Sequence, residues 1–177
     1  AQTDTGFTTT ANRVYYTPRI IAESRAVPSV QIANSGLGDN TKRIRIMTFY
    51  DDAANGGPGT LAKDWGEITL TGASATRTLT PGTAFTPPLG VVWDAVWTES
   101  ACALYGMNPY TFATNVGFGL GPTMSAVMGQ FTAPIGNFAQ TYAHYVDTTY
   151  GAAPATAVAP TASITASYGF GAPITPI

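Results

Sequence analysis

Formal charge is scarce in this sequence and unevenly distributed. Asp, Glu, Lys and Arg make up 10% of the 177 residues, against roughly a quarter in ordinary soluble domains. No Lys or Arg follows Arg77, and Asp147 is the only charged side chain from residue 100 to residue 177. The net charge of −2 and the lack of a large basic patch give no indication of a nucleic-acid partner.

Basic residues are close together only at Lys42, Arg43 and Arg45. Side chains alternate across a strand, so both arginines would lie on one strand face, opposite Ile44 and Ile46. We interpret this face as solvated, and an anion-binding face is the alternative.

Histidine and cysteine each occur once, which excludes several site chemistries. His144 alone cannot form a two-histidine metal site within one chain, and Cys102 alone cannot form an intrachain disulfide. His144 and Asp147 could share a helix face, but no serine lies in a nucleophile-elbow sequence. We interpret His144 as a packed or interface residue and Cys102 as a small buried one. The sequence therefore predicts no enzyme, no catalytic residues, no metal and no cofactor.

Long apolar runs are also missing. No stretch of about 18 apolar residues occurs, so we expect no membrane span. Gly and Pro are frequent, at 19 and 13 residues, while the charged residues that favour long helices are few. Such a composition favours strands and turns.

Two further motifs can be interpreted either as binding sites or as purely structural features. Asp51 and Asp52 supply oxygen ligands as a calcium loop does, but the closing glutamate is missing at the required distance. Trp65, Trp93 and Trp97 could stack on sugar rings, yet three tryptophans are also ordinary core residues in a sandwich of this size.

Several short segments alternate between apolar and polar residues, the pattern of half-buried strands. Gly/Pro-rich turns separate them. Residues 51–59 are predicted as a long loop, and the fourth and fifth segments as a hairpin. Pro18 indicates an edge or a bend in the first segment. The six segments are 13–21, 27–33, 42–50, 65–71, 75–80 and 90–99.

This rhythm of strands and turns predicts an all-β fold and points to no particular family. We expect a single antiparallel β-sandwich, immunoglobulin-like or jelly-roll-like, with extended N- and C-terminal arms. The predicted sandwich spans residues 13–150, between an N-terminal arm at 1–12 and an Ala/Pro/Thr-rich C-terminal arm at 151–177.

The C-terminal half combines very little charge with many aromatic residues. Soluble monomers normally cover their surface with mixed charges, which oppose association. A surface of aromatic, alanine and glycine residues is poorly suited to water, and burial between subunits would resolve the conflict. We therefore expect the partners of this chain to be copies of itself.

The C-terminal arm contains a detached alternating segment. Such a segment can add a strand to a partner's sheet edge, where it gains main-chain hydrogen bonds and side-chain pockets. We predict it as a strand-exchange site at the subunit interface, and the Thr-rich N-terminus is the alternative exchanged segment. Its five inward residues would be Ala162, Ile164, Ala166, Tyr168 and Phe170.

Three functions fit these features. The leading interpretation is a structural subunit of an extracellular filament or cell-surface fibre. The Ala1-Gln2 start fits either removal of a signal peptide after a small residue or trimming of an initiator methionine before alanine, and the first of these favours export. The first alternative is a virion capsid, coat or decoration protein, and the second is a secreted carbohydrate-binding module.

Overall fold

The computed structural model describes residues 5–34, 41–71, 75–106, 141–165 and 175–176. In these ranges the chain forms eleven β-strands and no helix. None of the described residues therefore builds a helix of the length and apolarity that a membrane crossing requires. The strands are β1 (Thr5–Thr8), β2 (Arg13–Ile21), β3 (Val30–Asn34), β4 (Arg43–Asp52), β5 (Gly57–Thr69), β6 (Ala75–Leu79), β7 (Gly90–Thr98), β8 (Ala103–Gly106), β9 (Thr141–Asp147), β10 (Ala162–Thr165) and β11 (Thr175–Pro176).

The strands form two antiparallel sheets that pack together as a β-sandwich. The larger sheet has the order β10-β9-β2-β7-β4-β5. In the smaller sheet, β1 pairs with β8 and β8 with β3, while β6 and β11 also pair with β3. The prediction of an all-β sandwich is confirmed.

The sandwich interior contains the inward residues of both sheets. Each fully buried Ile, Leu or Val contributes roughly 1.5–3 kcal/mol through removal of its side chain from water. Alternation predicts the inward faces of β3 and β4 correctly, because Ile32, Ile44 and Ile46 are all within 1% of complete burial. The buried members are Tyr15, Val30, Ile32, Ile44, Ile46, Trp65, Ile68, Leu70, Phe85, Val96, Cys102 and Leu104.

The opposite face of the larger sheet also carries a buried apolar cluster, which we call the outer cluster. Within it Tyr16 and Phe49 meet edge to face, with ring centroids 5.8 Å apart, a favoured geometry. The larger sheet is therefore buried on both faces. The members of the outer cluster are Val14, Tyr16, Met47, Phe49, Trp93, Ala95, Trp97 and Val146.

The connections around β5 differ from the sequence-based predictions. The predicted long loop is mostly strand, and only residues 53–56 form the turn between β4 and β5. Gly56 has φ +66°, a left-handed conformation that glycine adopts without strain. The predicted hairpin of residues 65–71 and 75–80 is wrong, because β6 pairs with β3 in the other sheet.

Strands also form in the segments predicted as arms. In the N-terminal segment β1 pairs with β8, and in the C-terminal segment β10 pairs with β9 and β11 with β3. The domain boundaries at residues 12 and 150 stay a prediction. Pro18 lies where β2 has β7 as its only strand partner in the described chain, since β9 pairs with β2 only as far as Tyr16.

Candidate functional site

Strand β10 lies at one edge of the larger sheet. The Thr161 amide donates to the Tyr145 carbonyl at 3.0 Å, and four residue pairs with β9 follow, beginning at Ala162. The register shifts between Ile164 and Thr165. Among the described residues, β9 is the only strand that pairs with β10. A single short ladder therefore holds β10 on the sheet.

Two of the five predicted strand-exchange residues fall in this strand. Ala162 and Ile164 have the Cα partners Tyr145 and Ala143 in β9 of the same chain. The other three, Ala166, Tyr168 and Phe170, lie outside the described residues. The structure thus shows the segment on its own sheet, and exchange between copies stays a prediction.

Strand β11 lies at an edge of the smaller sheet. It pairs with β3 through Thr175 opposite Gln31 and Pro176 opposite Val30. Since β6 occupies the other side of β3 along its full length, β11 shares its side with β8, which pairs with β3 only at Asn34. The C-terminal segment therefore supplies short strands to both sheets.

The two edges of the larger sheet differ in charge. The β5 edge carries Lys63, Asp64 and Glu67, and its register with β4 shifts at three places. Charges and bulges are the devices that prevent unwanted pairing at a sheet edge. Strand β10 has the sequence Ala-Ser-Ile-Thr, without charge, so the β10 edge lacks such protection by charge.

Residues 148–160, which we call the strap, connect β9 to β10 along the chain and cross the outer face of the larger sheet. At the far edge the Leu61 amide of β5 donates to the Ala155 carbonyl at 2.9 Å, and the Ala157 amide donates to the Gly59 carbonyl at 2.8 Å. Thr156 forms an antiparallel bridge with Thr60 between these two bonds. The strap therefore pairs with the N-terminal part of β5.

Tyr150 anchors the start of the strap. Its ring packs on Trp97 with centroids 5.4 Å apart, and its hydroxyl donates to Glu67 at 2.8 Å. The Tyr150 amide donates to the Asn12 side chain at 3.1 Å. Burial, followed by the hydrogen bond to Glu67, raises the pKa of Tyr150. The hydroxyl thus stays protonated and remains a donor at neutral pH.

The middle of the strap covers the outer cluster. Ala153 and Ala157 pack against the cluster, and the Tyr16 hydroxyl bonds to the backbone of Val158. Tyr16 is completely buried, and its burial raises the pKa of its phenol to about 12. Small residues allow the strap backbone to approach the sheet closely.

The arginine face of β4 is neutralised by carboxylates. Arg43 bonds to Glu99 and lies 3.5 Å from Glu67, and Arg45 contacts Asp64 at 2.6 Å. Hydrogen bonding from Arg43 lowers the pKa of Glu99, which keeps that carboxylate charged. These pairs engage both guanidinium groups, so the face gives no support to anion binding.

His144 and Asp147 lie on strand β9, where the sequence-based interpretation allowed a helix. Residues three apart in a strand point to opposite faces, so the two do not form a catalytic pair. The His144 ring lies 5.6 Å from that of Trp93, and burial lowers the pKa of His144. Asp147 accepts two hydrogen bonds from Arg13, at 2.6 and 3.0 Å.

Asp51 and Asp52 both bond within the chain. Asp51 accepts a hydrogen bond from the Trp93 indole at 2.7 Å. Asp52 accepts from the Asn55 side chain at 2.7 Å and from the Ala54 amide at 3.2 Å, which stabilises the turn. In the described ranges no group of three or more His, Cys, Asp or Glu side chains could hold a metal ion.

All three tryptophans are buried. Trp65, Trp93 and Trp97 are 3%, 2% and 5% exposed. A sugar ring needs an exposed aromatic face to stack on, and these three rings offer none. Their placement agrees with the interpretation as core residues.

The strap anchors are the residues that sequence reasoning missed. The Ala/Pro/Thr composition of residues 151–160 indicated a segment without a core of its own. The available signal was Tyr150 at the start of that segment, because an aromatic residue beside small residues can dock a chain on an apolar face. The acceptor face was not predicted, since Trp97 was assigned to the sandwich interior.

Comparison of the chain with protein-family models, with curated proteins and with solved structures gives no match.

Proposed function

We propose that this chain is a non-enzymatic structural subunit that assembles with copies of itself into an extracellular filament or surface fibre, by exchange of C-terminal strands. The observation that carries the proposal is the placement of β10 and β11. Both are short, uncharged and derived from one C-terminal segment, and they lie at edges of two different sheets.

The charge distribution supports assembly with like copies. Every charged residue except Asp147 falls in residues 1–99. A surface with few charges gains free energy when it is removed from water and has little like-charge repulsion to overcome. A second copy offers the same uncharged surface in return.

The edge pairing supports strand exchange as the mode of assembly. When β10 moves to a neighbour's β9, the same residue pairs form between chains as now form within one chain. The exchange thus loses little contact energy, and protein concentration drives it by mass action. The few ladder pairs of β10 and β11 keep the cost of release small.

A virion coat subunit is the second candidate. Cys102 is a buried thiol, and as the sole cysteine of the sequence it cannot form an intrachain disulfide, which suits assembly in a reducing compartment. A coat subunit also buries most of its surface against copies, so the closed or open geometry of the assembly distinguishes the two candidates.

The proposal is tested by deletion of residues 162–177, with the strap retained. We expect the full chain to form large species as its concentration rises and the deletion variant to stay monomeric, as measured by mass photometry. A peptide of residues 161–177 should bind the variant, and a scrambled peptide of the same composition is the control. Assembly of the variant at the wild-type concentration would contradict strand exchange.

A further inference from the structure

We infer that the strap stays on its own subunit, and that only the chain beyond Pro160 passes to a second copy, where it pairs with β9. This inference rests on the proposed function. It names the acceptor surface, the β9 edge at residues 141–145, and the occupant, residues 161–165 of a neighbouring copy.

Contacts along the strap hold it in place as far as Val158. Two backbone hydrogen bonds join it to β5 at Gly59 and Leu61, and the Tyr150 ring packs at a tilt on Trp97 beneath it. The last of these anchors is the Tyr16 hydroxyl, which bonds to the Val158 backbone from a completely buried position. Release of the strap would expose the outer cluster, whereas release of β10 breaks one short ladder.

Ala159 and Pro160 separate the strap anchors from the exchanged strand. Ala159 is exposed, and Pro160 has no amide hydrogen to donate and favours an extended conformation in the residue before it. The next amide, that of Thr161, donates to the Tyr145 carbonyl of β9. The chain is thus held on both sides of a two-residue hinge.

The shortness of the hinge determines the position of the neighbour. Three residue steps, from Val158 to Thr161, span at most about 10 Å in extended form. The acceptor β9 must therefore lie next to the donor's own strap, so exchanged copies contact each other directly. If the strap were exchanged as well, together with the rest of the chain after Asp147, the copies could instead be widely spaced.

Two engineered disulfides distinguish these arrangements. The strap lock, Thr60→Cys with Thr156→Cys, joins bridge partners that are both exposed. The donor lock, Ala143→Cys with Ile164→Cys, joins Cα partners of β9 and β10. Paired residues in antiparallel strands have Cα atoms about 4.5–5.5 Å apart, within the range of a disulfide. Cys102 stays in both variants, since it is buried.

Each variant is refolded as a dilute monomer, oxidised, shown to be intrachain-linked by non-reducing electrophoresis, and then concentrated. We expect the oxidised strap lock to assemble like the wild type, and the oxidised donor lock to lose assembly and to regain it after reduction. Loss of assembly in the oxidised strap lock would overturn the inference and leave the proposed function standing. Assembly of the oxidised donor lock would overturn the inference and, with it, exchange of β10 as the mode of assembly. A wild-type chain that never assembles would overturn both.

Discussion

At the residue scale, a polar network lies inside the sandwich. Arg19 contacts Asp94 at 2.5 Å, with the two side chains 19% and 2% exposed. Asp94 also accepts from the Thr48 hydroxyl at 2.8 Å, and Thr48 accepts from the Trp65 indole at 2.9 Å. Asp94 is therefore a buried member of an ion pair. Local alternation does not reveal that a distant arginine neutralises it.

Asp94→Ala should be strongly destabilising. Removal of one partner from a buried ion pair leaves the other charge uncompensated, at a cost of about 3–5 kcal/mol. The measurement is the free energy of unfolding in urea. Asp147→Ala is the matched control, because it removes a bidentate partner of Arg13 at a side chain that is 65% exposed, and we expect a much smaller loss. Equal losses in the two variants would contradict the buried pair.

His144 should make stability depend on pH. Burial against Trp93 lowers its folded-state pKa below the ordinary value of about 6.5. The unfolded chain therefore binds a proton at higher pH than the folded chain, so stability is full above about pH 6.5 and falls as the pH drops from there to the folded pKa. It is the only histidine in the chain.

The test of this pH dependence compares urea unfolding at pH 7.5 and pH 5.5. We expect the wild type to be less stable at the lower pH, and His144→Gln to lose most of that difference. If His144→Gln showed the same difference in stability between the two pH values as the wild type, groups other than His144 would cause the pH dependence.

At the element scale, the strap covers the outer cluster, and the Tyr150 ring is the anchor at its start. Tyr150→Ala should loosen it, because an aromatic pair contributes about 0.5–1.5 kcal/mol beyond buried area, which corresponds to a roughly 2- to 13-fold larger open population of the strap. The readout is hydrogen exchange at the Leu61 and Ala157 amides, which bond between β5 and the strap. Tyr150→Phe keeps the ring and should exchange nearly as the wild type does. Identical exchange in all three proteins would show that Tyr150 does not hold the strap.

Periodicity predicts single strands of this protein better than it predicts their partners. The inward isoleucines of β4 and the apolar stripe of β7 follow directly from alternation. Alternation also implies one solvated face, yet β7 is almost continuously buried because the strap and the outer cluster lie on its second face.

The crossing between β5 and β6 is a second feature that local pattern does not give. Three loop residues after a strand suit a hairpin, and the polar spacing of residues 65–80 matches one. The pairing of β6 with β3 depends on which sheet has room for the strand, and that is decided by residues distant in sequence. The same limit applies to β10, whose alternation predicted a strand but not its place beside β9.

At the scale of the whole molecule, the chain is asymmetric in charge. Apart from the pair between Arg13 and Asp147, the ion pairs of the described structure all lie within residues 1–99. The C-terminal half contributes an uncharged strap and two edge strands. Charge-poor surface and weakly held edge strands on one molecule are the combination that favours association with copies.

The most direct measurement is negative-stain electron microscopy of the purified full-length chain, with mass photometry of the same sample. We expect long uniform fibres whose mass grows with protein concentration. Closed shells would retain self-assembly and favour the virion coat. A monodisperse species of 18.4 kDa at every concentration would contradict self-assembly, because the charge-poor half would then be covered within a single chain.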